Sequence, residues 1–303
     1  MKRSRSMKGN KSYKRYRIRP FDVCNVLILG AFALLCMYPF YYLIIYSLSN
    51  STQAARQDIW LFPAGFTVEN YKVLFRKADI LLAAFVSASR AVSGTLITIC
   101  CSSFFAYLLT KKELIGRKIF YRMLVITMYL NAGIIPYFIV MKAYGLKNNY
   151  LLYILPSAVV AFYVILIKTY IEGIPAELEE AARMDGAGYF TVFTKIIFPV
   201  CVPVLATVAV FSAVNQWNSW QDNFYLVRDR NLKTLQLLLL EYLQSMDSTL
   251  INDINTAAAR ANRTSALSMK ACISVITMIP IMLVYPFFQK FFVKGILVGS
   301  VKG

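Results

Sequence analysis

The chain has 303 residues, 58% of them hydrophobic and only 16% charged, with a formal net charge of +18 and no histidine. A soluble domain is nearer half apolar with about a quarter of its residues charged, so this balance excludes an ordinary soluble fold. The basic residues sit in a tail and in short loops beside long apolar runs, which marks cytoplasmic segments of a membrane protein rather than a nucleic-acid surface.

Residues 1–19 carry Lys2, Arg3, Arg5, Lys8, Lys11, Lys14, Arg15, Arg17 and Arg19 without an acid, and read as a basic cytoplasmic tail. The apolar run that follows is too long for a signal-peptide core and reads as a retained first span. Six spans are predicted at about 23–47, 82–109, 120–141, 150–171, 199–219 and 268–289, each long enough to cross ~30 Å of hydrocarbon. The loop at 110–119 holds Lys111, Lys112, Arg117 and Lys118 against Glu113, which places it in the cytoplasm. The segments at 48–81 and 220–267 are mixed in charge and fit the outside. The expectation is an all-α, polytopic membrane protein with six transmembrane helices and both termini cytoplasmic. Its parts are the tail at 1–19, a six-span transmembrane domain at 20–290 and a second tail at 291–303.

Within the second span stands Arg90. An arginine at that depth must face the bundle interior, water or a carboxylate. It is a candidate for contact with an acidic substrate, for pairing with a partner chain, or for snorkelling to the interface. The third span carries Asn131 beside Gly133 and Pro136. A membrane-embedded amide bonds another helix or lines a wet cavity, and both readings stand. Gly and Pro recur in the spans, where neighbouring helices and hydroxyls re-satisfy the backbone.

Between the fourth and fifth spans, at about 172–198, lies a charged and helix-prone loop. Pro175 and the acids Glu177, Glu179 and Glu180 suit a helix start, and Gly186 and Gly188 suit its end. Leu178, Ala181, Ala182 and Met184 supply an apolar surface, with Glu179, Glu180, Arg183 and Asp185 as its charged rim. Near the outer end of the fifth span cluster Trp217, Asn218, Trp220, Asp222 and Asn223. Aromatic faces and amides can line a path for a polar solute, while the same tryptophans also suit an interfacial belt.

The six cysteines, Cys24, Cys36, Cys100, Cys101, Cys201 and Cys272, lie in or beside apolar segments without metal-ligand spacing. With no histidine, no catalytic set and no metal site are expected. The chain also lacks a GxxxxGK[ST] phosphate loop, so a free-energy source from ATP has to come from another polypeptide.

Glu180-Ala181-Ala182, then Gly186, Ile196 and Pro199, resembles the EAA loop of ATP-binding-cassette importer permeases. Phe198 stands where that pattern has Leu. The likeness covers nearly all of 20–303 and looks closest to the second permease subunit of maltose-type carbohydrate importers. Gly94-Thr95, the 106–109 run Ala-Tyr-Leu-Leu, the Trp217-Asn218 pair and the ending through Lys294, Gly295, Gly299 and Val301-Lys302-Gly303 carry it. Gly133-Ile134-Ile135-Pro136 looks like the branch that takes up polysaccharides or complex oligosaccharides.

The resemblance implies the type I importer permease fold in a bacterial cell membrane. It implies a heterodimer with a second permease, two ATPase subunits beneath and an extracytoplasmic sugar-binding protein. It further implies that Glu179, Glu180, Ala181, Ala182, Arg183, Asp185 and Gly186 couple to the ATPase. The tail residues Gly299, Ser300, Val301, Lys302 and Gly303 would reach it as well. Asn131, Trp217, Asn218, Trp220 and Arg90 are the candidates along the substrate path. No cofactor is expected on this chain, and ATP with Mg would be used by the partner. An importer of another solute remains open, as does an ion-coupled secondary carrier, although the spans are almost free of the acids such carriers use.

Overall fold

A computed structural model describes residues 20–54, 59–76, 78–130, 132–252, 267–284 and 286. The predicted tails at 1–19 and 291–303, and Asn131, lie outside them. Among the described residues there is no strand, only one isolated bridge between Ser49 and Phe66.

Helix α1, Pro20–Ser47, starts on a proline, which suits a first helical turn, and is apolar on every side. Its buried residues, Ile45 and Ser47, lie near its end. Helix α2, Ala78–Thr110, runs 33 residues without a break, or about 50 Å. Its buried face reads Ser87, Arg90, Thr98, Ser102 and Ala106, a stripe of small and polar side chains at helical spacing. Lipid tails give no hydrophobic drive between helices, so close backbone approach and hydroxyl bonds do the joining. Gly94 lies in that stripe, and a Cβ there would meet the Gln216 side chain at 2.5 Å.

The predicted third span is interrupted. Helix α3, Arg117–Tyr129, and helix α4, Ile134–Ala143, are separate. Gly133 adopts φ +77°, a left-handed geometry that breaks helical continuity, and Pro136 then sits in the first turn of α4. The predicted fourth span is also broken. Two short 3₁₀ turns, Tyr150–Tyr153 and Leu155–Ser157, precede helix α5, Ala161–Ile171, at an angle of 44°. The break frees backbone groups, and α2 satisfies them. Thr98 donates to the Ser157 carbonyl at 2.7 Å, Ser102 donates to the Ala158 carbonyl at 3.2 Å, and Val160 N–H donates to Ser102 Oγ at 3.3 Å.

Helix α6, Glu177–Met184, occupies the charged loop. The segment Tyr189–Val200 then meets helix α7, Val202–Asn218, at 81°. A π-turn at Phe193–Ile197 and the prolines Pro199 and Pro203, which lack a backbone N–H, account for the bend.

A short helix α8, Gln221–Leu226, and a longer helix α9, Leu235–Asn252, follow. The mixed charge of 220–267 predicts one outer segment. The Leu-rich start of α9 instead packs into the fold, where Leu235 and Leu238 join Ile80, Ala83, Met269 and Ile273 in one buried cluster. Met269 and Ile273 belong to helix α10, Leu267–Val284. Three described helices are long and apolar enough to cross a membrane, and five spans result if each bent pair counts as one. The predicted third span, interrupted between Arg117–Tyr129 and Ile134–Ala143, is not among them. Helix α2 is the central pillar, packed against α5 and α7 along most of its length.

Candidate functional site

Two features stand apart along α2. At its C-terminal end is α6. Asp185 closes this helix and Gly186 follows with φ +81°, a conformation costing other residues about 1–2 kcal/mol. The inward side of α6 holds Glu179 and Ala182. Glu179 accepts a hydrogen bond from Tyr107 OH at 3.2 Å and pairs with Lys111, while Ala182 packs on the core around Tyr107 and Phe193. The outward side shows Leu178, Ala181 and Met184 to the surroundings, Met184 at 88% exposure. Of the apolar residues named from the sequence, Ala182 thus turns in and the other three turn out. Glu180, Arg183 and Asp185 are exposed beside them. Arg183 reaches Glu113 at 3.7 Å and stacks 4.8 Å from the Tyr189 ring. The Glu113 carboxyl is held below its ordinary range, first by a backbone hydrogen bond within its own residue and then by Arg183.

Toward the other end lies a polar cavity of about 580 Å³. Helix α7 contributes Ser212, Asn215, Gln216 and Ser219 just past its end, a polar stripe at i, i+3, i+4 and i+7 of one helical face. The broken fourth segment contributes Tyr153 and Ser157, α4 contributes Tyr137, and α5 contributes Tyr163. Asn215 donates to Tyr163 OH at 2.9 Å and Gln216 donates to Ser157 Oγ at 2.6 Å.

Among the described residues, the charged ones lining this cavity are Arg90 and Asp222, and they neutralise each other. Arg90 is 3% exposed. Its NH2 donates to Asp222 Oδ2 at 2.5 Å and its NH1 to Oδ1 at 3.1 Å. Its Nε donates to Gln216 Oε1 at 2.9 Å, its NH1 also to the Ser219 carbonyl at 3.3 Å, and its guanidinium sits 4.5 Å from the Tyr153 ring centroid. Of the alternatives open for Arg90, the structure places it against a carboxylate of its own chain, at the cavity wall.

The tryptophans behave differently. Trp217 donates from Nε1 to the Thr277 carbonyl at 3.0 Å and packs between α9 and α10. Trp220 makes an edge contact with Phe224 at 6.1 Å, and Asn218 ends α7 exposed. None of the three lines the cavity. Sequence reasoning singled out the Trp-Asn pair and missed its neighbours Asn215 and Gln216. The spacing of Ser212, Asn215, Gln216 and Ser219 was the available signal, diluted because Ser and single amides are common in membrane helices. The tyrosines carried no such signal, because the breaks that aim them are not periodic. Among the described residues no group of acids and cysteines is placed to hold a metal ion.

Helices long and apolar enough to cross a membrane, around a polar cavity, fit a component of membrane transport. Residues 71–220 match the family described as binding-protein-dependent transport system inner membrane component. The chain is 36% identical over 286 residues to Protein LplC of Bacillus subtilis (strain 168), covering 94% of this chain and 96% of that protein. It is 34% identical over 285 residues to the polygalacturonan/rhamnogalacturonan transport system permease protein YtcP of the same organism, covering 94% and 99%. A solved bacterial ABC transporter involved in the import of the acidic polysaccharide alginate contains a chain that superposes with a TM-score of 0.76 at 30% identity, covering 90% of this chain and 96% of that one. The protein therefore belongs to the family of binding-protein-dependent transport system inner membrane components. It is a permease subunit of the ABC importer class.

Proposed function

We propose that this chain forms one half of an oligosaccharide-conducting pore in a bacterial cell membrane and draws on ATP through α6. In this reading a second, homologous permease closes the cavity from the open side, and two ATPase subunits, which use ATP and Mg, dock beneath. An extracytoplasmic binding protein delivers the sugar. The interrupted segment from Arg117 to Ala143 completes six crossings, with both termini in the cytoplasm. Gly299, Ser300, Val301, Lys302 and Gly303 extend toward the ATPases.

The carrying observation is the opposition of the two features along α2. An outward apolar face of Leu178, Ala181 and Met184 lies at one end, and a cavity of hydroxyls, amides and tyrosine rings toward the other. The apolar face with its charged rim suits a protein partner. The cavity suits a polyhydroxylated cargo, because each hydroxyl finds an exchangeable partner while the rings cover apolar sugar faces. No single group there is strong enough to trap a passing ligand, which conduction requires. The names of the relatives support a saccharide.

The test is isolation of the tagged chain with its partners from native membranes and reconstitution in proteoliposomes with the binding protein. Uptake of labelled arabino-oligosaccharide and of labelled oligogalacturonate is then followed. Import of either one only with ATP inside reach of the ATPase is expected. A chain that isolates without an ATPase, or that moves cargo without ATP, overturns the reading.

A further inference from the structure

The second acid of the loop helix, Glu179, points away from the free surface. Its carboxylate meets Tyr107 and Lys111 at the end of α2, and the Lys111 ammonium also lies 4.1 Å from the Tyr107 ring centroid. The Lys111 and Glu179 side chains are 12% and 19% exposed. Opposite charges attract more strongly as water is excluded. The other ion pair of α6, Arg183 with Glu113, is 47% and 60% exposed and belongs with surface pairs that contribute little. Tyr107 also packs on Phe193 at 5.5 Å, and Phe104 packs on Phe193 at 5.3 Å. One end of α2 therefore holds both α6 and the segment that leads into α7.

Three routes join α6 to the cavity. The route back through α5 crosses the non-helical turn at 172–176 before it reaches Tyr163 in the cavity wall, and the route forward through α7 crosses the 81° bend after Val200. Each is a joint at which displacement is absorbed by local backbone rotation. The third route is α2, unbroken from Lys111's neighbour Thr110 to beyond Arg90. Tyr107 and Arg90 are separated by roughly 25 Å along it, and Arg90 is fastened to Gln216 and Asp222 in the cavity wall.

We infer that Glu179, Lys111 and Tyr107 form a latch that makes α2 the lever between α6 and the cavity. Displacement of α6 moves α2 as one rod, and Arg90 delivers that motion to Gln216 and Asp222. The three are positioning residues, acting through α2 and touching neither cargo nor nucleotide. This rests on the reading of α6 given above.

The experiment compares cargo moved per ATP hydrolysed in the reconstituted complex, using whichever of the two labelled oligosaccharides the unaltered complex imports. Lys111→Met and Glu179→Gln should each lower that ratio about fivefold or more with the ATPase still bound. The double variant should be no worse than the poorer single one, since both remove the same interaction. Exchange of the charges, Lys111→Glu with Glu179→Lys, should restore at least half the ratio. Tyr107→Phe keeps the ring and removes one hydroxyl, and should lower the ratio about twofold. An unchanged ratio in Glu179→Gln, losses that multiply in the double variant, or no recovery on exchange each overturns the latch. An unchanged ratio in Tyr107→Phe does so even if Lys111→Met fails to assemble. Failure of any ATPase to accompany the unaltered chain defeats the reading of α6 itself. An intact complex with unaltered ratios defeats the latch alone.

Discussion

Arg90 and Asp222 are 132 residues apart in the chain and meet in a two-pronged ion pair with contacts of 2.5 and 3.1 Å. The pair joins α2 to α8 at the cavity wall, and both carboxylate oxygens are used. Removing one partner of a buried ion pair leaves an uncompensated charge and costs about 3–5 kcal/mol. Asp222→Asn and Arg90→Met are therefore each expected to lower the thermal stability of the detergent-purified protein strongly. The double variant Arg90→Met with Asp222→Leu should be milder than either. A double variant as damaging as the sum of the two would show that the residues act independently.

Gly94 is expected to reject even a methyl group. The Cβ of an alanine would meet Gln216 at 2.5 Å, and Gln216 cannot swing aside freely because Arg90 and Ser157 hold its two amide atoms. Overpacking of this kind costs about 1–3 kcal/mol. Gly94→Ala should reduce stability by that order in the unaltered chain, and by clearly less in a Gln216→Ala background. Equal losses of melting temperature from Gly94→Ala in the two backgrounds would contradict the contact.

Thr98 and Ser102 hold carbonyls released by the break before α5. Interhelical hydrogen bonds in membranes are worth about 0.6 kcal/mol on average and up to about 1.7. Thr98→Val and Ser102→Ala should each destabilise within that range, and together they should loosen the break. Hydrogen exchange at the amides of 158–160 is the direct readout, and unaltered protection in the double variant would refute the role.

Met184→Glu tests the outward face of α6. At 88% exposure Met184 supports nothing within the chain, so stability should stay within about 0.5 kcal/mol of the unaltered protein. Recovery of the ATPase on purification should nonetheless fall at least tenfold. Normal recovery of the ATPase would show that the partner docks elsewhere.

Gly186→Asp and Glu180→Lys should leave membrane insertion intact and abolish the link between hydrolysis and uptake. Gly186 is at φ +81° with open space around it, so aspartate there is strained by about 1–2 kcal/mol without a clash. Uptake at the unaltered rate in either variant would exclude α6 as the coupling element.

Much of the architecture was legible in the chain. Apolar length set α1, α2 and α10, because a helix is the only open segment that satisfies its own backbone in lipid. Pro175, the acids of 177–180 and Gly186 bounded α6 for local electrostatic and conformational reasons. The interruption at Gly133 was not legible, since glycine and proline recur in several of the predicted spans and do not mark which one breaks. Helix α9 was hidden for the opposite reason. Its leucines look like part of a mixed outer segment until α2 and α10 provide the surface that buries them.

The sequence by itself determined that this is a helical membrane protein with a projecting, amphipathic loop helix. Those properties follow from composition, period and end residues, all of them local. Only the tertiary structure decided that Arg90 is neutralised by Asp222, that Asn215 and Gln216 rather than Trp217 and Asn218 face the cavity, and that Glu179 turns inward to Lys111 while Met184 turns out. Each of these depends on which of several chemically suitable partners comes within a few ångströms. Helix breaks and bends of 44° and 81° make that choice, and periodicity within a single segment carries no record of it.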